Sequence, residues 1–132
     1  MKATSVYPFA KIAELATNVA SNDDVVRYLL TCAVLVDGRW TAASSLVLPG
    51  GLAQVRDYIL LNFNQGKTIT LDDLNAVTGI EIKTLRNILT PIAVLGKKGH
   101  WSLKGERDVE FVEKYPGVVQ ECQEYWMRQA QK

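Results

Sequence analysis

Five side chains between residues 83 and 100 have the most obvious chemical reach: Lys83, Arg86, Lys97, Lys98 and His100. If residues 82–89 are helical, Lys83 and Arg86 share a face, and the other three cluster in a Gly-flanked turn just beyond. A basic helix face beside a basic turn can grip phosphate oxygens while the helix enters a major groove. Asn87 is the one amide side chain on that helix for reading base edges, and Glu81 at its start would repel phosphate. The set is therefore a candidate nucleic-acid contact, with the solvated face of a protein-binding domain as the plain alternative.

Other chemistry is thinly represented. His100 could act as an acid or base, but no Ser, Cys or carboxylate is placed by sequence to work with it. Cys32 and Cys122 lie far apart with no C-x-x-C, and His100 is the only histidine, so a metal site lacks ligands. No Gly-rich phosphate loop, H-E-x-x-H or G-x-S-x-G occurs. No catalytic residue, cofactor or metal is expected, and the chain is not read as an enzyme. Bases can stack on Trp faces, but Trp40 and Trp101 fall at matched positions of a repeat, which marks them as structural core. Tyr125 and Trp126 sit together on a late helix face that packs on the rest of the chain or meets a partner.

The elements that must position these residues follow from local signals. Thr70-Leu71-Asp72-Asp73 is a helix start, with a hydroxyl to accept the N–H three residues on and carboxylates at the positive helix end. Gly79 tolerates the positive φ that ends a helix, and Ile82, Leu85, Ile88 and Leu89 give the next helix its apolar face. Residues 92–95, 96–99 and 100–103 then read as strand, turn and strand. Together these make a winged helix-turn-helix outline. Upstream, residues 8–18 form a short amphipathic helix, and Ser21-x-x-Asp24 caps a second, running to about Thr31. Asp37-Gly38 joins two β runs, 33–36 and 39–41. Leu46-Val47-Leu48 reads as a further strand, Pro49-Gly50-Gly51 as a linker, and Leu52, Val55, Ile59 and Phe63 as the stripe of a helix ending near Asn64. Beyond Gly105 come an acidic stretch, the break Tyr115-Pro116-Gly117, and a last helix from about Val118.

Arg27-x-x-Leu30-Thr31 matches Arg86-x-x-Leu89-Thr90, and Trp40 matches Trp101 two residues out of step, the second turn being longer. The helix at 52–64 has no counterpart before the first unit. Either the chain is a piece of a longer protein, or the late helix at 118–130 fills the gap.

At 132 residues the chain suits one ordinary domain or two small ones, and 48% hydrophobic with 22% charged residues is an ordinary globular balance. Residues 1–49, 50–105 and 106–132 carry net charges of 0, +3 and −2, so no segment is a polycation. Asn22-Asp23-Asp24 opens the first unit's second helix with carboxylates that cap it and would repel DNA. No apolar run approaches a membrane span and no secretory leader is read, so an intracellular, reducing location without membrane contact is expected.

Four blocks in order, Val6-Tyr7-Pro8-Phe9-Ala10, Ala33 to Trp40, Val55-Arg56-Asp57-Tyr58, and Phe111 to Gln120 followed by Trp126, resemble the winged-helix region of the fifth subunit of eukaryotic DNA-directed RNA polymerase III, the Sin-like family. The resemblance covers roughly residues 6–128. It implies a non-catalytic, nuclear polymerase subunit whose partners are other RNA polymerase III subunits. One of these is a heterodimer partner held through a domain, similar to the dimerisation module of transcription factor IIF, that is absent from these residues. The resulting expectation is mostly α with small β wings: a first winged-helix unit at 1–48 with its first helix possibly missing, a linker at 49–51, a second unit at 52–105, and an acidic connector with a C-terminal helix packed on the second unit at 106–132. Its function is protein–protein contact within the transcription machinery. The alternative is salt-dependent, sequence-tolerant DNA binding by the second unit.

Overall fold

A computed structural model describes residues 5–16 and 21–131. The N-terminal block runs β1 (Val6–Tyr7), α1 (Phe9–Ala16), α2 (Asn22–Cys32), β2 (Ala33–Val36), β3 (Arg39–Ala42) and a helical turn, α3 (Ser44–Val47). The central block runs α4 (Gly50–Asn64), β4 (Ile69–Thr70), α5 (Leu71–Thr78), α6 (Ile82–Leu89), β5 (Ala93–Leu95) and β6 (His100–Leu103). Two helices follow, α7 (Val109–Lys114) and α8 (Pro116–Ala130). Each block carries a three-stranded antiparallel sheet, in the orders β1-β3-β2 and β4-β6-β5. The architecture is α+β, mostly helical, and the run of strand, two helices and hairpin in each block is compatible with winged helices.

Local sequence explains the element ends. Ser21 Oγ and Thr70 Oγ1 accept from the amides of Asp24 and Asp73, each at 3.2 Å, and Gly79 closes α5 in the left-handed region at φ 70°. Asp37 and Gly38 both take positive φ, 45° and 81°, as a two-residue hairpin of the primed type requires. Thr70→Ala is expected to lower stability by about 1 kcal/mol, read as a shifted urea midpoint at unchanged slope.

Several expectations are corrected. Residues 46–48 are not a strand: Leu46 and Val47 lie in α3, whose amide bonds fold back on Ala43 and Ser44. Gly50 and Gly51 are not linker but the first turn of α4, begun by Pro49. The first helix is described over residues 9–16, Pro8 preceding it; positions 17 and 18 of the expected span lie outside the described residues. The acidic stretch folds as α7 because Asp108 caps it, its Oδ1 accepting from the amide of Phe111 at 3.1 Å. The last helix starts at Pro116, a proline-tolerant first-turn position.

The C-terminal helix is not packed on the central block alone. Phe111 of α7 and Val118, Val119 and Cys122 of α8 join Phe9, Leu29 and Trp40 in one apolar cluster of the N-terminal block. Four residues on, Trp126 enters the larger cluster, which mixes Val6 and Val36 with Ile59, Phe63 and Leu89. The late helices therefore pack on the N-terminal block, and the larger cluster draws residues from both blocks.

Arg56 fastens the same junction. It is 2% exposed, and its guanidinium donates to Ala42 O (2.8 Å), Ser44 Oγ (3.0 Å) and Thr41 Oγ1 (2.8 Å). Those acceptors lie in or beside β3 and α3, whereas Arg56 belongs to α4. Burial pushes the guanidinium down from its ordinary range to about 10, with Asp57 opposing, so it is charged at neutral pH.

Candidate functional site

The helix-turn-helix of the central block and its hairpin bound a groove of about 570 Å³. One wall is the N-terminal turn of α5, the other is Ile82 and Arg86 of α6, and Leu95, Lys98 and Trp101 of the hairpin close its end. Only some of the expected basic set converges here. Arg86 and Lys98 line the groove. Lys83 and Lys97 are exposed outside it. His100, also exposed, has Nδ1 3.2 Å from Thr68 Oγ1, which draws its ring toward the strand preceding α5.

The opposite wall is acidic. Asp72 and Asp73 line the groove from the first turn of α5, where they also suit the helix dipole. A phosphate seated on Arg86 and Lys98 would face two carboxylates across the groove, whereas an occupant carrying both signs and an apolar face would meet Leu71, Ile82 and Leu95. Sequence reading missed these aspartates as groove residues because their capping role is sufficient reason for them.

In the N-terminal block the corresponding helix, α2, exposes Asp24, Arg27 and Tyr28, with Arg27 Nη1 3.9 Å from Asp24 Oδ1. The exposed pair contributes little to stability.

Trp40 and Trp101 are both buried, with Trp101 doubling as the floor of the groove. Trp126, on a face the sequence leaves open between packing on the chain and meeting a partner, is 1% exposed, and its indole N–H donates to Leu35 O at 2.8 Å. It is a core residue, because α8 lies over β2. Tyr125 is half-buried and packs edge-on against Trp126, ring centroids 5.0 Å apart. Burial, then the charge of Asp57, raises its hydroxyl above the ordinary range. Tyr125, Leu30 and Cys122 line a second cavity of about 290 Å³ between α2, β2 and α8. Burial raises the Cys122 thiol, which keeps it protonated and unreactive. Both cysteines are free thiols. Among the described residues no three His, Cys, Asp or Glu side chains gather as metal ligands, and no helix is long and apolar enough to cross a membrane.

Comparison with known proteins gives these surfaces a context. A family model described as RPC5 protein matches residues 1–132. The chain is 28% identical over 138 residues to the DNA-directed RNA polymerase III subunit RPC5 of Mus musculus, which covers 96% of this chain and 19% of that protein. The Homo sapiens protein of the same name is also 28% identical over 138 residues, covering 96% of this chain and 20% of the relative. The chain thus spans about a fifth of the length of these curated relatives. With the family model matched from its first residue to its last, the chain belongs to the RPC5 family.

Proposed function

We propose that this chain works as a non-catalytic part of RNA polymerase III in the nucleus, and that it is a protein-contact module of two winged-helix units, 1–48 and 52–105, closed by residues 106–132. Family membership supports the polymerase assignment, since the relatives above are named as subunits of that enzyme. The single observation favouring protein over nucleic acid is the mixed-sign groove, which Asp72 and Asp73 line together with Arg86 and Lys98. The shared core presents both units as one body, which suits a module that spaces its contacts.

The DNA-binding reading has one specific support, Arg86 and Lys98 in the groove with Lys83 and Lys97 also exposed on the same helix and turn. Four phosphate contacts would give a slope of log affinity against log salt of roughly −3.6. Two measurements separate the readings. An affinity-tagged chain expressed in cells should recover RNA polymerase III subunits identified by mass spectrometry. The purified chain should bind a labelled duplex of arbitrary sequence no tighter than about 100 μM at 0.15 M salt, in the non-specific range. Recovery of no polymerase subunit, together with micromolar duplex binding that is steep in salt and lost on Lys97→Glu/Lys98→Glu, would replace this account with the DNA one.

A further inference from the structure

The two blocks repeat one groove, and in one copy the groove is filled. Strand register places Tyr7 and Leu35 opposite Trp40, and Ile69 and Leu95 opposite Trp101. Two residues after Tyr7 and Ile69, α1 and α5 begin at Phe9 and Leu71. Phe9, Leu35 and Trp40 therefore correspond to Leu71, Leu95 and Trp101.

Over the first trio lies the chain's own α7. The ring of Phe111 sits 4.9 Å from that of Phe9 and 5.7 Å, edge-on, from Trp40. Asp108 Oδ2 accepts from the amide of Phe9 at 3.0 Å, the Tyr115 hydroxyl donates to Asp23 at 3.4 Å, and Arg107 Nε lies 3.7 Å from Asp37. Leu35 is 3% exposed, in one apolar cluster with Phe111 of α7 and Cys122 of α8. Its counterpart Leu95 is 60% exposed, and Leu71, Leu95 and Trp101 line the open groove. A large exposed leucine in a groove that also carries Leu71 and the edge of a buried tryptophan is the kind of patch a partner's side chain fills.

We propose that the open groove accepts a short helix of a partner protein, seated as α7 is seated in the N-terminal block, with an aromatic side chain in the place of Phe111. This deepens, and rests on, the protein-contact reading above. Differences between the two grooves specify the occupant. The matched Arg27 and Arg86 put Ile82 where the N-terminal block has Asp23. The residue four after the aromatic is thus apolar, unlike Tyr115. Lys98 stands in the turn where Asp37 stands in the shorter one. The residue four before the aromatic is thus acidic, unlike Arg107. Asp72 and Asp73 occupy the positions of Ala10 and Lys11. A carboxylate cap like Asp108 is repelled there, and the helix enters with Asn or Ser.

The probe is a fluorescein-labelled peptide of residues 107–119 carrying Arg107→Glu, Asp108→Asn and Tyr115→Leu. Fluorescence anisotropy with the full chain should show saturable binding. Leu95→Arg in the chain and Phe111→Ala in the peptide should each weaken it about tenfold or more, as loss of a buried anchor does. Leu95 is exposed, so its replacement leaves the fold intact. Lys98→Glu should also weaken binding, and restoring arginine at the first peptide position should recover it. No saturation by about 1 mM peptide, a weak limit of about −4 kcal/mol, overturns the proposal. Binding indifferent to Leu95→Arg does so too, as does duplex DNA bound in the groove where the peptide fails. Peptide binding without recovery of polymerase subunits would sink the polymerase assignment and leave the groove; recovery of subunits without peptide binding would sink the groove alone.

Discussion

Trp126→Ala is expected to cost about 4 kcal/mol of folding stability, the middle of the range for emptying a fully buried aromatic site. Trp126 is 1% exposed in the cluster that joins Val36 to Ile59 and Phe63, and its N–H satisfies the carbonyl of Leu35. Alanine would leave a cavity at the meeting point of α4, α8 and β2, and would strip that carbonyl of its donor. Trp126→Phe separates the two losses: most of the ring volume stays and the hydrogen bond goes, for about 1–2 kcal/mol. Urea unfolding of the three proteins at one pH gives the comparison. A loss below about 1 kcal/mol for Trp126→Ala would mean that α8 is peripheral.

Arg56→Ala is expected to cost about 3 kcal/mol, whereas Arg56→Met should cost only about 1 kcal/mol. The guanidinium fork spans a backbone carbonyl and two hydroxyls, so alanine leaves three acceptors unpaired as well as a void. Methionine fills much of the space and also removes the penalty of burying a charge, which offsets the lost hydrogen bonds. Lysine cannot fork to the same acceptors and should behave more like alanine. The pH dependence has a definite sign. With the folded-state value lowered to about 10, the burial penalty is fully present below that pH, where both states hold the proton. Above that the folded chain releases its proton first, the unfolded state binds more protons, and stability rises with pH. The difference between wild type and Arg56→Met should thus be flat from pH 5 to 9 and shift in favour of wild type beyond pH 10. A difference that moves the other way would contradict the buried-charge account.

Much of this fold was legible because its signals are local. The caps at Ser21 and Thr70, the turn at Asp37-Gly38 and the glycine after α5 each act through bonds within a few residues, and the structure places all of them as expected. The repeat of Arg-x-x-Leu-Thr and Trp placed two equivalent helices and hairpins. What stayed hidden depends on long-range packing. Leu46 and Val47 have a strand-like run of apolar residues, but they pair with neither sheet and lie in a helical turn instead. Arg56 does not belong to the stripe of Leu52, Val55, Ile59 and Phe63 that the sequence shows. Its spacing of three from Ala53 and from Ile59 nonetheless put it on the buried face, and that was the signal available. Phe111 was unreadable as an anchor because its contacts, Phe9 and Trp40, lie far away in sequence. The open groove could not be read at all from composition: its significance lies in Leu95 being bare where Leu35 is covered.

The short connection between β6 and α7 has a consequence for competition. Leu103 ends the strand and Val109 starts the helix, so only residues 104–108 tether α7, and Arg39 Nη2 grips the tether at Gly105 O, 2.8 Å away. A segment on so short a leash is present at its own groove at a local concentration in the millimolar range. A free rival of equal intrinsic affinity would have to match that concentration to take half of the sites, which few cellular proteins do. One groove is therefore closed to ordinary traffic while its twin stands open, and a chain built from two similar halves presents itself to its surroundings with a single orientation.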